Sequence, residues 1–229
     1  MPKLLLFGDS VLKGVIYDGR YHLSTARQFP RLREQGWEIA NHARMGCCVG
    51  QLLRDLIRHL PEMAQDCHVV LGCGGNDCSY DWPALAAAPP PSGQALPQGP
   101  FQPRTPPGQF SRLYAQALAQ AQAGGARVWS ASLVPLEHER YFDWISREGG
   151  GENILAWLGE KSLLYRWQEY YDQLVQEEAV RAGLPQIQLR QPFLTDRLDH
   201  LLGPDGIHPT PKGHQLIEAQ IEAQMLQFI

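Results

Sequence analysis

The sequence lacks any run of apolar residues long enough to cross a lipid bilayer. Its first apolar run, residues 4–7, is four residues long and ends at Gly8. That is also too short for the hydrophobic region of a secretion signal, which spans about 7–15 residues. The sequence therefore predicts a soluble, cytoplasmic protein with no membrane span.

An excess of basic residues is also missing, since 20 Lys and Arg are outnumbered by 24 Asp and Glu. Because binding to phosphate backbones requires clustered Lys and Arg, this balance argues against nucleic acid as a partner. The rest of the composition is that of a globular chain, with 229 residues of which 44% are hydrophobic. This length predicts a single domain over residues 1–229 with a sizeable core.

Cysteine is scarce and odd in number, with five in the chain. An odd count without a secretion signal predicts reduced thiols rather than a disulfide framework. Cys67, Cys73 and Cys78 lack the CxxC spacing of metal sites, so we expect them to be small buried side chains. Cys47 and Cys48 receive no role, and neither a metal nor a cofactor is predicted.

Short apolar runs alternate along the chain with segments of helical periodicity. The strand candidates are residues 3–7, 37–40, 67–72, 126–131 and 186–189. Apolar stripes between and after them predict helices around residues 52–60, 110–121, 163–175 and 216–228. Thr210 and Pro211 carry the capping and first-turn signals of the last helix. This alternation predicts an α/β fold with a doubly wound, five-stranded parallel sheet flanked by helices.

Two stretches interrupt the alternation, a proline-rich one at 86–107 and an aromatic one at 136–159. Both come after predicted strands, so we expect loop insertions that rise over one edge of the sheet. Their aromatic residues are equally compatible with packing outside the sheet and with a lid over a pocket. The candidates for a substrate-facing wall are Trp82, Tyr141, Phe142, Trp144 and Trp157.

Polar motifs begin where predicted strands end. Gly-Asp-Ser occupies residues 8–10 and Gly-Gly-Asn-Asp occupies residues 74–77. Between them, the segment 41–46 begins with Asn41 and ends with Gly46. A fourth motif, Asp-Gly-Ile-His at residues 205–208, precedes the last predicted helix. Because ligands of a parallel sheet bind at the carboxyl ends of its strands, we expect these motifs to share one site.

The motifs supply the groups that nucleophilic catalysis requires. Ser10 is the predicted nucleophile and His208 its general base, with Asp205 placed three residues earlier to orient the imidazole. Each motif also has an ordinary explanation, a helix-capping serine for one and an Asp-Gly turn with a surface histidine for the other. His200 and His214 are rivals, but neither has an acid three residues before it.

Gly46 and Asn76, with the backbone N–H of Ser10, are the predicted donors to an oxyanion. Taken alone, Gly46 is better explained as a turn glycine, and Asn76 is also explained as an Asx-turn residue. Together with the nucleophile and the base, they indicate hydrolysis of a carboxylic ester, including an O-acetyl or short acyl ester.

These blocks resemble those of the SGNH hydrolase superfamily, the GDSL-type esterases and lipases named for conserved Ser, Gly, Asn and His. Residues 8–10 match the first block, with Val11 in place of the family's leucine. Asn41 and Gly46 match the second block in spacing, although Cys48 stands where relatives often have threonine. Residues 74–77 and 205–208 match the third and fifth blocks.

The resemblance implies a flavodoxin-like, three-layer α/β/α fold and metal-free hydrolysis of an ester or thioester. It does not name the substrate, which we expect to be a small-molecule acyl ester. The segments 141–146 and 165–171 are similar to uncharacterised bacterial members, which adds no chemistry.

Two other functions stay open on the sequence. An acyltransferase would use the same triad, with an acceptor alcohol in place of water. A non-catalytic, flavodoxin-like module would bind a ligand on its glycine loops, although their spacing fits neither a P-loop nor a dinucleotide fingerprint. The sequence leaves the oligomeric state open.

Overall fold

The computed structural model describes residues 1–24, 29–63, 66–89, 92 and 96–228. A five-stranded parallel sheet runs through its centre in the order β4-β1-β5-β6-β7. These strands are β1 (Lys3–Gly8), β4 (Glu38–Asn41), β5 (Cys67–Gly72), β6 (Arg127–Ala131) and β7 (Gln186–Ile187). All six residues of β5 are buried, as its apolar sequence predicts. The prediction of a five-stranded parallel sheet is confirmed.

The strand order reverses at β1, which has β4 on one side and β5 on the other. The registers pair Leu6 with Asn41 and Gly8 with Gly72, so β1, β4 and β5 end at the same sheet edge. Loops that leave neighbouring strands in opposite directions open a crevice at such a reversal. The edge above β1 and β5 is therefore where this fold offers a ligand site.

Helices cover both faces of the sheet. Those before β6 are α1 (Ser10–Lys13), α2 (Pro30–Glu34), α3 (Val49–His59), α4 (Trp82–Ala87) and α5 (Pro107–Ala123). Those after β6 are α6 (His138–Ile145), α7 (Gly151–Leu158), α8 (Leu163–Arg181), α9 (Gln191–Leu194), α10 (Leu198–Leu201) and α11 (Pro211–Met225). Short 3-10 helices occupy Leu60–Glu62 and Leu226–Phe228. None of the described helices is long and apolar enough to cross a bilayer.

Alternate residues of β1 belong to two separate cores, as the two-residue repeat of a strand requires. Leu5 and Phe7 pack beneath α3, α5 and α8. Leu4 and Leu6 pack on the other face, against side chains of α2 and α9 to α11. The sheet is thus the middle of three layers, which confirms the predicted α/β/α arrangement.

A third core lies outside the three layers, in a segment that the sequence predicted to be a loop. The segment 136–159, predicted as a loop insertion, contains the helices α6 and α7. With α4 and the start of α8, they bury a cluster that includes Leu85, Phe142 and Ile154. Residues 90, 91 and 93–95 of the other insertion, 86–107, lie outside the described residues.

Capping explains where α6 and α7 begin. The Glu137 carboxylate accepts hydrogen bonds from the backbone N–H groups of Glu139 and Arg140 at the start of α6. Gly150, with φ of 73°, precedes α7 and lies so close to Ala86 that a Cβ would approach the Ala86 Cβ to 2.6 Å. Glycine is required here both for the left-handed backbone and for the contact between the two insertions.

A β-hairpin that the sequence analysis did not predict follows α1. Its strands β2 (Val15–Tyr17) and β3 (Tyr21–Leu23) are three residues each and pair antiparallel. Strands this short carry too few alternating positions to be distinguished from a loop. The hairpin brings Tyr21 to the edge of the sheet at which β1 ends.

Candidate active site

Ser10 is the first residue of α1, and only Asp9 separates it from the end of β1 at Gly8. The residue that caps this helix is Asp9, whose carboxylate accepts a hydrogen bond from the Val11 N–H at 3.0 Å. The Ser10 hydroxyl is therefore not occupied by capping, which removes the ordinary explanation for this serine. Its side chain is largely buried and lines a cavity above the sheet edge.

His208 joins Ser10 to Asp205 in one chain of hydrogen bonds. The His208 Nε2 atom lies 3.0 Å from Ser10 Oγ, and its Nδ1 atom lies 2.6 Å from Asp205 Oδ2. With Nδ1–H donating to the carboxylate, Nε2 is left to accept the serine proton. The chain therefore has the connectivity of a nucleophile, a base and an orienting acid.

The loop around Asp205 is ordered by that same carboxylate. Asp205 Oδ1 accepts hydrogen bonds from the Ile207 and His208 backbone N–H groups at 3.2 and 3.1 Å. Asp205 is fully buried. One oxygen thus shapes the turn while the other orients the imidazole.

The two rival histidines are engaged elsewhere. His214 is buried and its Nε2 atom lies 2.9 Å from the Val15 carbonyl. Burial lowers the pKa of His214. His200 is exposed, with its Nε2 atom 3.9 Å from Asp199. Of the three candidates, only His208 lines the described cavity.

Gly46 and Asn76 lie beside Ser10 on the cavity wall. Gly46 has φ of 72°, in the left-handed region, and a Cβ there would meet nothing within 4 Å. Glycine is thus favoured by backbone conformation rather than by lack of space. The Asn76 Nδ2 atom donates to the Cys47 carbonyl at 3.3 Å. Because an amide nitrogen carries two N–H donors, this bond orients the group and leaves one donor.

Two buried carboxylates flank these groups. Asp9 is buried, and this burial raises its pKa to about 6, aided by the Asp77 charge and opposed by the Val11 N–H and His208. Burial also raises the pKa of Asp77, against hydrogen bonds from Thr105 and the Val49 N–H. Neither acid was assigned a role by the sequence analysis, although each adjoins a predicted site residue in its motif.

The cavity has a volume of about 650 Å³ and continues from the polar groups beneath the insertions. Trp82, Tyr141 and Trp144 line it. The Trp82 Nε1–H group lies 3.1 Å from the Tyr141 hydroxyl. This hydrogen bond ties α4 to α6 at the cavity wall.

Phe142 and Trp157 are placed differently from the other predicted aromatic residues. Both belong to the third core and are absent from the cavity lining. The Lys161 ammonium lies 4.6 Å from the centre of the Phe142 ring. Trp157 packs edge-on against Phe101 at 5.1 Å. Their positions give no support to the predicted contact with substrate.

Tyr21 is a cavity residue that the sequence analysis missed. Its ring lies edge-on to His208, with centroids 5.2 Å apart, and edge-on to Trp144 at 6.2 Å. Burial raises the pKa of Tyr21 to about 12, so its hydroxyl stays protonated. No motif marks it, because its position depends on the short hairpin.

A sequence model of the GDSL-like lipase/acylhydrolase family matches residues 6–216. The chain belongs to this family. The resemblance drawn from the motif blocks is therefore confirmed, and membership implies a hydrolase with a small-molecule substrate. A sequence search of curated proteins gives no match.

Solved structures of other proteins share the fold at low sequence identity. A lipase/acylhydrolase from Enterococcus faecalis superposes with a TM-score of 0.67 at 18% identity, covering 98% of this chain and 95% of that chain. An acetyl-xylooligosaccharide esterase from Geobacillus stearmophilus has a TM-score of 0.62 at 14% identity, covering 98% and 94%. A G-D-S-L family protein from Veillonella parvula gives 0.61 at 13%, covering 96% of both. At these identities the likeness establishes the fold.

Among the described residues, metal-ligating side chains converge away from the cavity at His42, His59 and Glu62. The two imidazoles stack with centroids 3.8 Å apart. The Glu62 carboxylate already binds His59 Nδ1 at 2.6 Å and the Lys3 ammonium at 3.3 Å. The potential ligand atoms of the three side chains lie within 4.8 Å of one another, and the Glu62 carboxylate already pairs with both His59 and Lys3.

The cysteines beside the site are held as thiols. Burial is the main cause that raises the pKa of Cys47 to about 12 and that of Cys48 to about 11. Nucleophilic and metal-binding cysteines require a thiolate. This environment agrees with leaving both residues without a catalytic role.

Proposed function

We propose that this protein is a serine esterase that hydrolyses a carboxylic ester with Ser10, His208 and Asp205. The observation that carries the proposal is the pair of hydrogen-bond distances at His208, 3.0 Å to Ser10 Oγ and 2.6 Å to Asp205. A serine hydroxyl is a weak nucleophile at neutral pH and is activated by such an adjacent base.

The reaction proceeds in two halves. His208 Nε2 takes the proton of Ser10 as Oγ attacks the ester carbonyl carbon, and the resulting imidazolium is stabilised by the buried Asp205 carboxylate. His208 then protonates the leaving alcohol as the C–O bond breaks. A water molecule, deprotonated by His208, then attacks the acyl carbon. The bond from that carbon to Ser10 Oγ breaks, His208 returns the proton to Oγ, and the carboxylic acid is released.

The negative oxygen of the tetrahedral intermediate needs fixed donors. We assign this role to the backbone N–H groups of Ser10 and Gly46 and to the free N–H of Asn76. These three residues line the same cavity. Donors of this kind act through preorganisation, and each contributes about 10²–10³ in turnover.

The shape of the cavity supports an acyl group longer than acetyl. Beyond Ser10, its lining includes the third-core residues Tyr80, Leu96, Leu158 and Leu164, each at most 6% exposed. These interior side chains form an apolar part of the wall, while exposed residues such as Met45 and Glu148 line the cavity elsewhere. A volume of about 650 Å³ is within the range of sites that enclose whole small ligands. We assign this apolar part to the acyl chain.

The proposal is tested with a fluorophosphonate probe and a series of p-nitrophenyl esters. We expect the probe to label Ser10 and the wild-type protein to hydrolyse the esters. Ser10→Ala is expected to lose both labelling and turnover while remaining folded, whereas Ser111→Ala, a partly exposed position on α5, retains both. Unlabelled protein, or a Ser10→Ala variant with normal turnover, would disprove the proposal. Product analysis with an added alcohol separates hydrolysis from acyl transfer.

A further inference from the structure

The cavity-wall helix α6 is fastened directly to the loop that carries Asp205 and His208. The Arg140 guanidinium donates from Nη1 to the Leu202 and Gly203 carbonyls at 2.9 and 3.1 Å. Its Nη2 donates to the Leu198 carbonyl at 3.1 Å. One arginine thus binds three carbonyls of α10 and the start of the loop.

The arginine is itself held in place by Glu137. The Glu137 carboxylate lies 3.3 Å from Arg140 Nε, and the Glu137 backbone N–H donates to the Gly206 carbonyl at 2.8 Å. Gly206 has φ of 72°, and a Cβ there would lie 2.6 Å from the Glu137 carbonyl oxygen. Only glycine therefore allows this approach between the helix and the loop.

The loop's internal hydrogen bonds set its shape but not its position. Gly203 N–H donates to the His208 carbonyl at 2.7 Å, and Asp205 Oδ1 organises the turn between them. These bonds would survive if the whole loop moved as a unit. The contacts to Arg140 and Glu137 join it to α6, which also carries Tyr141 and Trp144 on the cavity wall.

We infer that Arg140 is a positioning residue, which holds the loop of residues 202–206 so that His208 stays within proton-transfer distance of Ser10. This inference rests on the esterase function proposed above. The guanidinium suits the task because its planar fork can bind several carbonyls at once, which an ammonium cannot do with the same geometry. It acts on the reaction only through His208.

The test compares Arg140→Ala with Arg166→Ala, which removes an exposed arginine of α8 that pairs with Glu160. Rates are expressed per active site, counted by fluorophosphonate titration. A misplacement of about 1 Å costs up to about 10²-fold in rate. We therefore expect Arg140→Ala to lower kcat and the phosphonylation rate of Ser10 about 10- to 100-fold, with KM changed less than about threefold. Arg166→Ala should match wild type.

A residue that only stabilised the fold would lower the amount of active protein but not the rate per site. Wild-type kcat per titrated site in folded Arg140→Ala would therefore overturn the inference. Arg140→Lys, which keeps the charge but not the fork, should recover only part of the rate. Full recovery by Lys would also count against the proposed geometry.

A second variant keeps the inference testable if Arg140→Ala does not fold. Glu137→Gln keeps the backbone bond to Gly206 and removes the charge that holds Arg140 Nε. We expect a smaller fall in kcat and faster hydrogen exchange of the amides of residues 203 and 205–208. Unchanged exchange and kcat in Glu137→Gln would contradict the inference. If wild type itself neither reacts with the probe nor cleaves esters, the proposed function fails instead, and the exchange measurement still reports whether Arg140 orders the loop.

Discussion

Both oxygens of the Asp77 carboxylate accept a hydrogen bond from the Val49 backbone N–H, with N···O distances of 3.0 and 3.2 Å. This contact joins the loop after β5, which carries Asn76, to the start of α3, which follows Gly46. The fully buried Asp77 side chain thus fixes two of the proposed oxyanion donors, Gly46 and Asn76, relative to each other. Asp77 thereby connects the two motifs in space.

Replacement of Asp77 by Ala should affect both stability and turnover. It leaves a buried N–H without its acceptor, a loss of about 1–3 kcal/mol. We expect a corresponding decrease in the free energy of unfolding in urea and a lower kcat per titrated site. Asp66→Ala, at an exposed position before β5, is the control. Equal stability of the two variants would show that the Val49 contact contributes little.

The buried Asp9 carboxyl predicts a pH dependence of stability. Its folded-state pKa is raised from 3.8 to about 6, so the folded protein binds more protons than the unfolded chain between these values. The contribution of this carboxyl to the free energy of unfolding is fully present below about pH 4 and is lost as the pH rises through 6. Asp9→Asn, which retains a capping side chain, should lack this loss, worth on the order of 3 kcal/mol.

The measurement is urea unfolding of wild type and Asp9→Asn at several pH values. The difference in unfolding free energy should shift in favour of Asp9→Asn between about pH 4 and pH 7. A difference that stays constant over this range would mean that Asp9 is ionised in the folded protein with an ordinary pKa.

Gly46 and Gly125 form a matched pair for testing the oxyanion site. Both have left-handed backbones, φ of 72° and 85°, and open space where a Cβ would lie. Alanine should therefore cost similar strain at each, about 1 kcal/mol. We expect Gly46→Ala to lower kcat at least tenfold, because the strained loop displaces a donor, while Gly125→Ala retains wild-type turnover. Equal kcat in both variants would remove Gly46 from the proposed site.

Chain-length selectivity tests the assignment of the apolar cavity. Each buried methylene contributes about 0.8 kcal/mol, or about fourfold in kcat/KM. We expect kcat/KM to rise from the acetyl ester to medium-chain esters. Leu164→Phe, which adds volume at the cavity wall, should reduce this rise, while Val180→Phe on the exposed face of α8 should not. An enzyme fastest on the acetyl ester would place the acyl group elsewhere.

The sequence predicts much of the sheet and the core of the candidate site because both leave local signals. The apolar run at residues 67–72 coincides with β5, and Thr210 caps α11 as expected. The motif after β1 supplies Ser10 and the motif before the last helix supplies His208, and the fold brings these two residues together.

Other features depend on contacts between distant segments and leave no local pattern. Tyr141 and Phe142 are neighbours on α6, yet one lines the cavity and the other packs in the third core. Which of two adjacent aromatic residues faces a ligand is decided by the helices packed around them. The positions of Tyr21 and Arg140 likewise depend on a short hairpin and on a loop some 60 residues away.

Ser10 begins α1 and His208 stands shortly before α11, so the reactive pair joins residues that are 198 positions apart in the sequence. A fragment, or an intermediate in which α11 has not docked, would hold one partner without the other. Recovery of turnover after dilution from denaturant should consequently lag behind the return of secondary structure, which makes catalysis a reporter of completed folding.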